Sequence, residues 1–175
     1  SLYTELLERA VRSIRQGKLP DEDPSFERRG ADVVLNVPAL IPEDYLPDVH
    51  ARLTLYKRIS SARNADELRD LQVEMIDRFG LLPDAAKHLF AIAELKLHAT
   101  RIGIRKLDLG PAGGRLQFEA KPDVDPMTVI RMIQKQPQHY AMDGPDKLRL
   151  KLDLPDATAR VQAARGLLAA LQRAA

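Results

Sequence analysis

The chain has 175 residues, 45% hydrophobic and 30% charged, with 27 basic side chains against 25 acidic ones and a formal net charge of +2. This is the composition of a globular chain long enough to bury a core, and it excludes the disordered class. The signs alternate along the sequence, which disfavours a module that grips nucleic acid by its phosphates, and the lack of cysteine excludes disulfides, zinc fingers, iron–sulfur clusters and thiol catalysis.

The first segment, Ser1 to Glu5, has no charged-then-apolar signal pattern. Leu2, Leu6, Leu7, Val11 and Ile14 recur at a helical period, so a helix opens the chain. It begins without Met and already in helical rhythm, as a piece of a longer protein would. Gly17 and Pro20-Asp21-Glu22-Asp23-Pro24 end that helix, and the polar run to Gly30 reads as a linker. Val33, Leu35 and Val37 alternate with their neighbours, which predicts a short strand closed by Pro38 and Pro42.

Three helices follow. The first carries Leu46, Val49, Leu53, Tyr56 and Ile59 at spacings of three and four. The second starts behind Asn64 as N-cap, with Glu67 completing a capping-box-like pattern. It buries Leu68, Leu71, Met75 and Phe79 and ends at Gly80, where a left-handed cap is cheap. Pro83 opens the third, which continues through Leu89, Ile92 and Leu95 until Gly103.

The rhythm then becomes strand, strand, helix, twice over. Ile104–Asp108 and Arg115–Glu119 are extended around a glycine-rich turn, and Asp125-Pro126 starts a helix that stops before Pro137. His139–Met142 and Leu148–Leu152 are extended around Asp143-Gly144-Pro145-Asp146, and an alanine-rich helix closes the chain from about Asp156 to Arg173. The expected fold is α+β, a mixed or antiparallel sheet built from ββα units and packed with several helices. No apolar run approaches the ~18 residues that span a bilayer, so a soluble, cytoplasmic protein without a membrane partner is expected.

No catalytic constellation emerges. The glycines around Gly113 lack the Lys-Ser/Thr and helix start of a phosphate loop and read as a hairpin turn. Of His50, His88, His98 and His139, none pairs with another at helical metal-site spacing, and a carboxylate at that distance, as Glu94 is from His98, is common by chance. No serine sits in a nucleophile elbow. The chain is therefore read as a non-enzyme, without metal or other cofactor. An autonomous hydrolase would have to show turnover by the isolated chain.

One pattern rises above this background. Glu67, Asp70, Glu74 and Asp77 fall at steps of three, four and three, an acidic stripe along one side of the second helix. Like charges so spaced destabilise a helix. Asp77 also lies in the last turn, where the macrodipole disfavours an anion, and only Arg78 relieves this locally. Two readings stand: a solvated polar face, or a ridge that docks on a basic partner.

Five motifs, in order, carry a family resemblance. They are Leu46-Pro47-Asp48-Val49; Leu53-Thr54-Leu55-Tyr56-Lys57-Arg58-Ile59-Ser60-Ser61-Ala62; Glu74-Met75-Ile76-Asp77-Arg78-Phe79-Gly80-Leu81-Leu82-Pro83; Gly103-Ile104-Arg105-Lys106-Leu107; and Gln134-Lys135-Gln136-Pro137-Gln138-His139-Tyr140. Across essentially the whole chain the sequence resembles the C-terminal domain of bacterial transcription-repair coupling factors. These are large ATP-driven DNA translocases that displace stalled RNA polymerase and recruit UvrA to begin nucleotide excision repair. The resemblance implies a regulatory domain over residues 31–175, joined by residues 1–30 to an upstream motor that holds the ATP and Mg chemistry.

It further implies that this domain docks on the parent's N-terminal UvrB-like module, masking the surface for UvrA and restraining the motor. RNA polymerase and DNA are then partners only through the parent. In the family the contact uses polar residues on the helix with a Glu-x-x-Asp-Arg pattern. Here those are Glu74, Asp77 and Arg78, on the same face as Glu67 and Asp70, and this favours the docking reading of the stripe. The alternative is direct binding of nucleic acid or RNA polymerase through Arg101, Arg105 and Lys106.

Overall fold

The computed structural model describes residues 30–174, together with Leu6, Leu7, Glu8 and Val11, which are helical. The rest of the expected opening helix and the linker to Gly30 lie outside the described residues. The chain divides into two compact units, one containing residues 37–97 and the other residues 31–36 and 98–175.

The first unit is helical. Helix α1 spans Val49–Ser61, α2 spans Ala65–Phe79, and α3 starts at Asp84 and runs to Arg101, its last turn belonging to the second unit. The Asp48 carboxylate caps α1 by accepting from His50 N at 2.9 Å. Leu46 therefore precedes the helix, but it is buried all the same. Leu55, not the expected Leu53, is fully buried on α1 beside Tyr56 and Ile59.

Arg52 is buried too. Its Nη1 donates to Leu46 O at 2.6 Å and Pro47 O at 2.9 Å, so carbonyls replace the water this cation loses. The Tyr56 hydroxyl accepts from Ile41 N at 2.7 Å and Leu40 N donates to Ala85 O at 3.1 Å, pinning the segment before α1.

The second unit holds a five-stranded sheet. Its strands are β1 (Asp32–Val34), β2 (Ile104–Gly110), β3 (Gly113–Phe118), β4 (Tyr140–Met142) and β5 (Lys147–Lys151), in the order β1-β2-β3-β5-β4. Only the β1–β2 pair is parallel; the others are antiparallel. Helix α4 (Pro126–Lys135) follows the first strand pair and α5 (Ala157–Leu171) the second, so the two ββα units are as expected. Asp125 and Asp156 are the N-caps, accepting from Met127 N and Ala159 N, each at 2.9 Å.

One face of the sheet is apolar and closed: Val33, Leu107, Leu116 and Leu148 have no exposed surface. These four lie in register across β1, β2, β3 and β5. Strand β1 stops at Val34, short of the expected Val37. Asn36 turns to φ +56°, and its amide donates to Asp108 Oδ1 and Leu109 O, ending the ladder. Arg160, buried on α5, donates to Leu35 O, Asn36 O and Leu154 O at 3.1–3.3 Å and holds that turn.

The turn between β2 and β3 is narrower than expected. Only Pro111 and Ala112 form it, while Gly110, Gly113 and Gly114 belong to the strands. A Cβ at Gly113 would run into Leu150 O, so the glycines here serve close backbone approach.

Candidate functional site

Helix α2 displays the acidic stripe, and its ends are tightly specified. At the start, Asn64 Oδ1 accepts from Glu67 N at 2.9 Å as the N-cap. The Glu67 carboxylate reaches back to Arg63 N at 2.7 Å, one residue before the cap, and to Arg63 Nε at 3.2 Å. The backbone bond from Arg63, ahead of the ion pair with its side chain, lowers the Glu67 pKa. At the other end Gly80 takes φ +95° and its N–H donates to Ile76 O at 2.9 Å. The Tyr45 hydroxyl donates to Gly80 O at 2.8 Å, and its ring meets Phe79 edge-on with centroids 6.1 Å apart.

Leu68, Leu71 and Met75 form the buried side of α2, as their spacing predicts, whereas Phe79 is only half-buried. The stripe lies on the other side, where its four carboxylates separate into two kinds. Glu67 is committed to the capping box. Glu74 forms a two-pronged ion pair with Arg58 of α1, Nη1 to Oε2 and Nη2 to Oε1, the second at 3.1 Å. Arg78 Nη1 lies 3.5 Å from the same Oε2. The Arg58 hydrogen bond is the main reason the Glu74 carboxyl titrates below its ordinary range.

Asp70 and Asp77 are exposed, and neither carboxylate has a hydrogen-bond or ion-pair partner among the described residues. Arg78 is held between Glu74 and the Phe79 ring, its Cζ 4.8 Å from the ring centroid. Glu74, Asp77 and Arg78 thus come together at the C-terminal half of α2, with two of the three preorganised by neighbours and Asp77 bare.

Two features of this surface escaped the sequence reading. Arg58 lies sixteen positions before Glu74 on another helix, so local spacing could not reveal it. Val73 (53% exposed), Ile76 (38%) and Leu81 (84%) leave apolar surface beside the aspartates. Val73 and Ile76 fall outside the Leu68–Leu71–Met75 side of the helix, and that offset is the signal that could have found them.

The alternative cationic set is less available. Arg105 Nη2 pairs with Glu119 at 3.0 Å, and Lys106 Nζ lies 3.9 Å from Asp32. Arg101 is exposed. Among the described residues, no three histidine or carboxylate side chains are grouped to hold a metal, and no helix is long and apolar enough to cross a membrane. His98 Nε2 contacts Gln172 Oε1 at 2.7 Å.

Residues 35–129, which include all of α2, match the family model of the TRCF domain. The transcription-repair-coupling factor of Escherichia coli (strain K12) is 44% identical over 173 residues, 98% of this chain and 15% of that protein. The corresponding protein of Haemophilus influenzae is 46% identical over 93% of this chain and 14% of its own length. That of Myxococcus xanthus is 36% identical over 84% of this chain and 12% of its own length. The chain therefore spans about a seventh of the E. coli and H. influenzae relatives.

In three dimensions it is similar to a crystal structure of the C-terminal domain of transcription-repair coupling factor. The TM-score is 0.62 at 18% identity, covering 81% of this chain and 94% of that one. The chain belongs to the TRCF domain family of the transcription-repair-coupling factors, with the fold of their C-terminal domain.

Proposed function

We propose that residues 31–175 act as a non-catalytic regulatory domain that docks through the outer face of α2 on the UvrB-like module of its parent protein. Docked there, the domain covers the surface that UvrA uses and restrains an ATP-driven motor, to which residues 1–30 connect it. Nucleotide and Mg belong to that motor, and the domain itself needs no cofactor. UvrA, RNA polymerase and DNA are reached through the parent.

The observation that carries this reading is the bare carboxylate of Asp77 in the last turn of α2. There the helix dipole works against it, with Glu74 and Arg78 fixed alongside. A charge kept where folding gains nothing from it has its use outside the fold. The physics suits a releasable clamp: exposed ion pairs are individually weak and screened by salt. Tethering in one chain supplies an effective concentration on the order of millimolar, which lets such contacts hold until a competitor arrives.

The direct test is capture of the purified UvrB-like module by this chain at low and moderate salt. Retention that falls with salt and with loss of Asp77 supports docking through α2. No retention at low salt overturns it.

A further inference from the structure

The face of the sheet opposite the leucine layer carries a second charged feature, of the opposite sign. Strand β5 reads Lys147-Leu148-Arg149-Leu150-Lys151, and its two leucines are buried. Lys147, Arg149 and Lys151 consequently all project from the open face, in one row along the strand. Alternate residues of a strand lie ~6.8 Å apart, so the row is evenly spaced. Arg149 and Lys151 are exposed and Lys147 half-buried, and none of the three has an ion-pair partner among the described residues.

The strands paired directly with β5 supply no neutralising charge, and on β2 the carboxylate of Asp108, opposite Arg115, already accepts from the Asn36 amide at 3.0 Å. Opposite Lys147, Arg149 and Lys151 on β3 stand Gln117, Arg115 and Gly113, and opposite Arg149 on β4 stands Ala141. Directly opposed residues share a face, so Arg115 sets a second cation against Arg149 where like charges destabilise a sheet. The nearby acids are already engaged. Asp143 pairs with Arg115 at 3.2 Å, and Asp146 accepts from Gln117 Nε2 at 3.0 Å.

We propose that this open face of β3 and β5 is a second docking surface, and that its partner is an extended acidic segment of another protein. Charge complementarity selects an anion. The geometry selects an extended chain, because its alternate side chains repeat at the spacing of the cation row. Nucleic acid fits less well, since single strands are held by stacking on aromatic side chains and this face offers no Phe, Tyr or Trp; Tyr140 stands opposite buried Leu150 and so belongs to the closed side. The surface is built from residues other than those of α2 and is of opposite charge, so it does not depend on the reading proposed above.

The test uses the whole chain and a fluorescein-labelled peptide of alternating glutamate and serine, followed by anisotropy at low salt. Saturable binding is expected, weakening as salt rises. The double reversal Arg149→Glu with Lys151→Glu should weaken it by roughly tenfold or more, because like-charge juxtaposition is strongly unfavourable at an interface. Arg149→Gln with Lys151→Gln, a milder change that keeps side-chain bulk, should weaken it less. Arg63→Glu with Arg69→Glu, the same charge change placed around α2, should leave binding intact.

Equal binding by the wild type and the β5 reversal would overturn the proposal. An equal loss in the Arg63/Arg69 control would overturn it too, by showing only net-charge attraction. Tighter binding of an oligothymidylate or a DNA duplex of matched charge would reassign the face to phosphates and sink the acidic-segment reading.

Discussion

The guanidinium of Arg58 on α1 grips the carboxylate of Glu74 on α2 through two parallel hydrogen bonds, and Arg78 approaches the same carboxylate from the following turn. Glu74 is consequently part of how α1 and α2 are joined as well as part of an exposed stripe. Planar guanidinium and carboxylate groups matched in this way fix orientation, which an ammonium could not do as well.

A pH signature follows. The Glu74 carboxyl is held below its ordinary range, first by the Arg58 hydrogen bond and then by the nearby charges of Arg58 and Arg78. Because the folded-state pKa is depressed, the pair stabilises the fold above the unfolded pKa, ~4.3 for Glu. That stabilisation disappears as pH falls through the lower folded value. An NMR titration should show Glu74 ionising at lower pH than an ordinary exposed glutamate. Arg58→Gln should move the midpoint back up; an unchanged midpoint would mean that the pair does not persist in solution.

The start of α2 offers a separate measurement. Replacing Asn64 by Ala removes the acceptor for Glu67 N and should destabilise the chain by about 1 kcal/mol, the usual cost of an N-cap. Urea denaturation would register this as a lower midpoint at unchanged slope. Asn64→Asp or Asn64→Ser should restore most of the loss, since either can accept the same bond.

Gly113 predicts a much larger effect. Its φ is +109°, and an added Cβ would collide with Leu150 O and crowd Leu152 N at 2.8 Å. Both obstacles are backbone on the adjacent strand or just beyond it, so neither can rotate away. Gly113→Ala should therefore cost more than a typical single substitution, upwards of ~3 kcal/mol. Gly144→Ala is the control: it too has positive φ but meets nothing within 4 Å, so it should cost about 1 kcal/mol of backbone strain. Thermal melts of the two variants would rank them; similar values would contradict the close-approach account.

Much of this architecture was legible from the sequence. Hydrophobic period and capping residues locate the helices, and the repeated strand–strand–helix rhythm gives the two ββα units. The parallel docking of β1 on β2 was not legible, nor was the placement of β5 between β3 and β4, because strand order depends on long-range pairing that periodicity does not encode. Arg52 and Arg160 are equally opaque in sequence, since a buried arginine satisfied by carbonyls looks like any other arginine. At the candidate site the four-carboxylate stripe was visible, but its division into engaged glutamates and bare aspartates was not. That division rests on Arg58, in a different helix, and on Arg63, ahead of the cap.

The division sharpens the test of docking through α2. Asp70 and Asp77 have no partner to lose among the described residues, so Asp70→Ala with Asp77→Ala should leave the chain folded within ~0.5 kcal/mol, as exposed substitutions usually do. Asp77→Ala should be neutral or slightly stabilising, because it removes an anion that opposes the helix dipole. Glu74→Ala should differ, releasing Arg58 and Arg78 together and lowering the melting temperature. In the full-length parent, both the Asp77 and the Glu74 changes should raise UvrA binding and basal ATP hydrolysis without polymerase. Reversing a basic residue on the UvrB-like module should do the same, and pairing it with Asp77→Arg should partly restore the closed state, the coupling that a direct contact requires. If the aspartate variants unfold the chain, the stripe is structural. If they fold and the parent's UvrA binding does not move, the assignment of docking to α2 is wrong, because Asp77 is the residue on which that assignment rests.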